Sequence, residues 1–171
     1  TDYLNYLYPY NESNRKKFFD KFFILSDIFD KNKSVQIIGR SVETVIVSEE
    51  SVCFDFEVLC GDGRGTQDYI EICENYKHVF VYNLVDFNVD NDDMARRFIA
   101  LIDECYDQGI HTIILAVSDF KELYKGKRLA FEFQRTVSRL NDMQNSDFEV
   151  EQFIAMYKAS PERKELMDKK L

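Results

Sequence analysis

Two short apolar runs, HVFVYNLVDF starting at His78 and HTIILAVS starting at His111, are rich in β-branched and aromatic residues. They bracket a stretch with a different rhythm, MARRFIALIDECYD, in which Phe98, Leu101, Ile102 and Cys105 recur at helical spacing while Ile99 and Tyr106 widen the stripe. Strand, helix, strand is a βαβ crossover, so this stretch predicts neighbouring parallel strands covered on both faces.

Upstream the period changes twice. TDYLNYLYPY contains Pro9, which disfavours helix at the residue before it and predicts an extended segment along a surface. From the N-cap Asn11 to Asp30, Phe18, Phe22, Leu25 and Phe29 form one helical stripe, thickened by Phe19 and Phe23. From Ser34 three β runs follow, at 35–38, 42–47 and 52–56, with turns at Gly39-Arg40 and 48–51, and these predict an antiparallel meander. Thr66 is a good N-cap for a helix to about Lys77. Beyond Ser118 come a short helix, a turn at Gly126, and a helix with Phe133, Val137 and Leu140 on one face. Asp147 can cap a further helix to about Lys158, and Ser160-Pro161 can start another. The expected fold class is α/β: a βαβ unit with parallel strands plus an antiparallel β meander, flanked by helices. Residues 1–148 form the domain and residues 149–171 a helical tail.

Composition narrows the function more than the fold. A chain of 171 residues that is 45% hydrophobic can bury one sizeable core. Its net charge of −9 argues against general affinity for nucleic acid or anionic membrane, since both demand excess Lys and Arg. No apolar run reaches the length of a membrane span, and the first residues lack the charged and apolar regions of a signal peptide. The opening on a dense Tyr/Leu segment without Met reads as a cut through a longer chain. Cys53, Cys60, Cys73 and Cys105 form no CxxC pair, which points to neither zinc nor disulfides and suits a reducing compartment. His78 and His111 occupy matching places at the two strand starts and read as structural.

Several residues could carry chemistry. GDGRG, Gly61 to Gly65, precedes a helix, as phosphate-cradling loops do, but it lacks the spacing of either nucleotide fingerprint and reads as a flexible surface turn. Arg40 reads as an exposed turn residue. Asp92 and Asp93 stand four residues before Arg96 and Arg97, which predicts two salt bridges on the helix surface. Arg135 and Arg139 share a helical face with little acid nearby, a setting for an anion or for plain solvation. Neither a Walker A segment nor a catalytic triad or HExxH spacing is present.

The succession FDFEVLC, DYIEICENYKHVFV, ARRFIALIDECYDQGIHTIILAVS and LAFEFQRTVSRLNDMQ resembles the C-terminal half of the ZapE-type ATPases, bacterial relatives of the mitochondrial AFG-one-like or LACE-type proteins. The likeness covers nearly all of 1–148, including the opening TDY and the Gly39-Arg40 pair. One departure falls at the end of the His78 strand, where the family has an acid followed by proline and this chain has Asn83, Leu84 and Asp86.

The resemblance implies an AAA+ P-loop ATPase whose ATP and magnesium site lies upstream of these residues, so no cofactor is expected for this part alone and it would not hydrolyse ATP. It raises interest in Arg135 and Arg139 as phosphate sensors, and in Arg40, Arg96 and Arg97 as partner-contacting or structural residues. It implies an upstream ATPase core and a protein partner, FtsZ in bacterial division or an inner-membrane client in mitochondria, with homo-oligomers open. The setting would be the bacterial cytoplasm or the mitochondrial matrix side. A second reading is a stand-alone protein-binding module whose interface would be Tyr3, Tyr6, Tyr8 and Tyr10 where exposed, although these tyrosines more readily cover the domain's own core or its contact with the upstream core.

Overall fold

A computed structural model describes residues 3–145, so the helices expected after Asp147 lie outside the described residues. One six-stranded sheet organises the domain, in the order β1 (Tyr6–Leu7), β8 (His111–Ala116), β7 (His78–Leu84), β6 (Ser51–Asp55), β5 (Ile46–Ser48), β2 (Phe29–Lys31). The first four run parallel, while β5 and β2 are antiparallel to their neighbours. The predicted crossover is present: β7 and β8 are parallel neighbours, joined by α4 (Asp92–Asp107).

Both faces of the sheet are covered, which is why its strands read as unbroken apolar runs. On one face lies α1 (Glu12–Leu25), whose Phe18, Phe22, Phe23 and Ile24 pack with Cys53, Phe80, Ile113 and Leu115. On the other lie α2 (Phe56–Leu59), α3 (Thr66–Asn75), α4 and α5 (Ala130–Met143). They bury Phe56, Tyr69, Ile72, Phe98, Leu101 and Phe133 among the alternate strand residues Val79, Val81, Ile114 and Ala116. Helix α4 stops at Gly109, whose φ of +64° suits glycine, and Ile110 N–H closes the end on Cys105 C=O at 2.9 Å.

Four expectations change. Helix α1 ends at Leu25, and Phe29 opens β2 instead. Its ring still meets Phe22 and Phe23, so tertiary packing satisfies the stripe that spacing had assigned to one helix. The expected three-strand meander is divided between two sheets. β3 (Ser34–Ile37) and β4 (Arg40–Glu43) form a separate two-stranded arm, and the run 42–47 breaks between β4 and β5. Strands β2 and β5 nevertheless keep the register of β3 and β4, so 29–48 is one long hairpin bent out of the sheet. Asn32, at φ 55°, sits at the bend, beside Lys33, whose carbonyl takes bonds from both the N–H and the hydroxyl of Thr44. The turn of this hairpin is Ile38-Gly39, both at positive φ as a two-residue I′ turn requires, rather than Gly39-Arg40. Finally, Gly65, not Thr66, is the N-cap of α3.

Candidate functional site

The glycine loop is where a phosphate would have to sit, and its own side chains fill it. Gly61 lies where an added Cβ would come within 2.3 Å of the Glu57 carbonyl oxygen. Arg40, at the start of β4, donates to the carbonyl of Gly63 at 2.9 Å and to Asp68 at 2.5 Å. Arg64 reaches the same carboxylate at 3.3 Å. The second oxygen of Asp68 accepts from Gly65 N–H at 2.9 Å, so the negative charge favoured at the N-terminus of α3 comes from a buried side chain of the helix itself. An incoming triphosphate would meet this carboxylate at the helix end. The loop is tied down rather than free, with a carboxylate already at the helix end. Arg97, from α4, adds a bond to Cys60 C=O at 3.2 Å and lies 3.7 Å from Asp62. Arg40 is thus no plain turn residue: it fastens the arm to the helical layer.

The salt bridges expected from Asp92 to Arg96 and from Asp93 to Arg97 do not form. Asp92 accepts from the Tyr124 hydroxyl at 2.9 Å, Arg97 turns to the glycine loop, and Arg96 is exposed with no ion pair among the described residues. The Arg135 and Arg139 pair is split as well. Arg139 bonds Asp103, lies 3.8 Å from Asp107 and stacks over the Tyr106 ring, so α4 supplies acids that α5 lacks. Arg135 points outward with no ion pair or hydrogen bond among the described residues.

Past the carboxyl ends of β7 and β8, Asp86 and three of the N-terminal tyrosines meet Ser118, Asp119 and Lys125 in one cluster. Asp86 accepts from Ser118 at 2.5 Å and from Lys125 at 2.8 Å, and Asp119 accepts from Tyr3 at 3.1 Å and Tyr8 at 3.2 Å. Tyr6 donates to Ser118 C=O at 2.6 Å. Desolvation, then Asp119, pushes the Tyr3 phenol up to about 12, and burial raises Tyr6 further, so these phenols serve as donors rather than bases. These tyrosines cover the domain's own core: Tyr6 is buried and Tyr3 half-buried against Phe120, Tyr8 is half-buried beside both, and Tyr10 lies at the surface against Tyr82. Acids just past two parallel strands were the available signal, because ligands of open α/β sheets bind outside those ends. The register slips between Val81 and Leu84, with Asn83 at φ 65°.

At the amino ends of the same strands, His78 Nδ1 and His111 Nδ1 are 2.9 Å apart, and His111 Nε2 is 3.1 Å from Asn5 Oδ1. Asn5 Nδ2 donates to Met143 C=O, so its oxygen faces His111, whose Nε2 must carry the proton. His111 Nδ1 is then the acceptor and His78 Nδ1 the donor. Burial, then His78, lowers His111 to about 3, and burial lowers His78 too. Both histidines are structural, in keeping with their matching positions in sequence. Among the described residues no group of three His, Cys, Asp or Glu could hold a metal ion, and no helix is long and apolar enough to cross a membrane.

Comparison with known proteins brings these elements together. A family described as AFG1-like ATPase matches residues 3–152. The chain belongs to the AFG1-like ATPase family. Cell division protein ZapE of Escherichia coli is 33% identical over 119 residues, covering 70% of this chain and 32% of that protein. An uncharacterized protein of Schizosaccharomyces pombe is 29% identical over 122 residues, 70% of this chain and 27% of its own length. Lactation elevated protein 1 homolog B of Danio rerio is 30% identical over 125 residues, 54% of this chain and 25% of its own. The chain thus spans about a third or less of the curated relatives it matches, and relatives occur in bacteria and eukaryotes. No solved structure matches it.

Proposed function

We propose that these residues are the coupling part of an AFG1-like ATPase. They do not hydrolyse ATP themselves; they pack on the nucleotide-binding part of a longer protein and pass its state to a protein partner. The observation that carries this reading is Asp68. The glycine loop that precedes a helix here is occupied by an internal carboxylate, clasped by Arg40 and Arg64, where phosphate oxygens would have to go. Of the two sensor arginines expected, Arg139 is held by Asp103 and Asp107, which leaves Arg135 to reach toward a bound phosphate of the ATPase core. Arg40 and Arg97 hold the loop, and Arg96 is a solvent-facing contact for a partner. The inward turn of Tyr3, Tyr6 and Tyr8 favours this reading over a stand-alone binding module.

Two measurements test this reading. The 171-residue chain, titrated with ATP and magnesium, is expected to show no saturable binding; a saturable isotherm overturns the reading. In a longer family protein that carries this domain, Arg135→Ala is expected to lower ATP turnover by roughly tenfold or more, the scale of a lost phosphate contact, while Arg139→Ala acts through stability. Unchanged turnover in Arg135→Ala removes the sensor role.

A further inference from the structure

The bend that carries the long hairpin away from the sheet leaves a pocket against α1. Arg15, Phe19 and Phe23 follow one another at four-residue spacing, so they form one strip of that helix. Across the pocket stand Lys31 and Asn32 at the bend, and Val45 and Ile46 where the chain returns to β5. Its volume is about 220 Å³. A cavity of roughly 150 Å³ already takes a benzene ring, so one aromatic or branched side chain fits here and little more.

The charge of the lining has one sign, in a chain whose net charge is −9. The Arg15 guanidinium lies 5.0 Å over the Phe19 ring, and its Nε donates to the Tyr82 hydroxyl at 3.4 Å. Its two Nη groups have no acceptor among the described residues. The exposed Lys31 ammonium and the Asn32 side-chain amide have no partner among them either. No carboxylate lines the pocket. Of the acids near it in sequence, Asp20 pairs with Lys16 at 3.2 Å and Asp30 with Lys33 at 3.4 Å, while Glu12, one turn before Arg15, is exposed to water. A guanidinium fork stacked on a ring is suited to a carboxylate, and the buried Phe19, Phe23 and Ile46 beside it are suited to an apolar group. Both fall within a space for one residue, so acid and apolar group must belong to the same residue of the ligand. Asp and Glu carry a carboxylate without an apolar body, whereas the last residue of a peptide carries both.

We propose that this pocket binds the free carboxyl end of a partner protein whose last residue is aromatic or branched aliphatic. The Nη groups of Arg15 take the carboxylate, Lys31 adds a second positive charge, and the last side chain lies along Phe19, Phe23 and Val45. The pocket is built wholly by this chain, so the inference uses nothing of the ATPase reading above. A single captured residue binds weakly, and salt loosens it because Lys31 is exposed.

Backbone amide NMR spectra of the 171-residue chain, titrated with the tripeptide acetyl-Gly-Gly-Phe bearing a free carboxylate, read this directly. Saturable shifts are expected within residues 15–23 and 31–46, with a Kd on the order of 1 mM. The same tripeptide closed as its C-terminal amide is expected to bind at least about tenfold more weakly. R15Q and K31E are each expected to weaken the free acid; Lys31 is exposed, and equal thermal melts confirm the fold of both variants. N-acetylphenylalanine separates a chain end from a small free acid and is expected to bind no more tightly than the tripeptide. Phenyl phosphate is expected to bind no more tightly either. The absence of saturable shifts overturns the proposal, as does an amide that binds as well as the acid, or binding that ignores both variants. Tighter binding of N-acetylphenylalanine or phenyl phosphate than of the tripeptide overturns it too.

Discussion

At the amino ends of β7 and β8, uncharged groups hold one another: His78 to His111, His111 to Asn5, and the Asn5 N–H to Gln144, which donates in turn to Leu140 C=O. At the carboxyl ends, past Leu84 and Ala116, charged groups do the work: Asp86 with Lys125 and Ser118, and Asp119 with Tyr3 and Tyr8. Asn5 and His111 are almost wholly buried, so a charge there would lose its hydration. Asp86 and Lys125 keep contact with water, and their pair is screened. The same two strands thus have one end that depends on staying neutral and one that tolerates charge at little gain.

Acid is expected to separate the two ends most sharply. The unfolded chain protonates His111 near 6.5 and the folded chain only near about 3, so the unfolded state binds more protons between those values. The contribution of His111 is therefore complete above about 6.5 and declines as pH falls toward 3, amounting to about 3 kcal/mol by about pH 4. Urea midpoints measured from pH 7 to 4 should fall, and H111Q should flatten that fall; an equally steep profile in H111Q refutes the assignment.

Asn5→Ala comes next, because it leaves His111 Nε2–H and Met143 C=O without partners in a dry site, at a cost of about 2 kcal/mol. Denaturant unfolding checks it, and a loss below that of Tyr8→Phe would reverse the ranking of the two ends. Tyr8→Phe deletes one half-buried donor to Asp119 and should cost no more than about 1 kcal/mol, because Tyr3 still serves the carboxylate. Lys125→Ala is expected to leave the melting temperature within experimental error, the lysine being exposed. A clear drop there would mean that the carboxyl end is not simply solvated.

Much of the fold was legible from spacing. The crossover, the stripe of α4 and the matching histidines follow from local periodicity, because a helix or a doubly covered strand declares its buried positions along the chain. The site was less legible. Arg40 and Arg97 could be noticed as arginines, but their partners, Asp68, Gly63, Cys60 and Asp62, come from other elements. Arg139 was read as lacking acid nearby because its two carboxylates belong to α4.

From the residues alone come a parallel βαβ core, a net negative charge, and motif runs that place the chain with the ATPases it matches. Only the tertiary structure decided that Phe29 leaves α1 for a strand, that the hairpin bends out of the sheet at Asn32, and that Asp68 closes the glycine loop. The physical reason is range: periodicity and capping act within a few residues, whereas the partner of a buried charge or ring is chosen by whatever distant segment packing brings within reach.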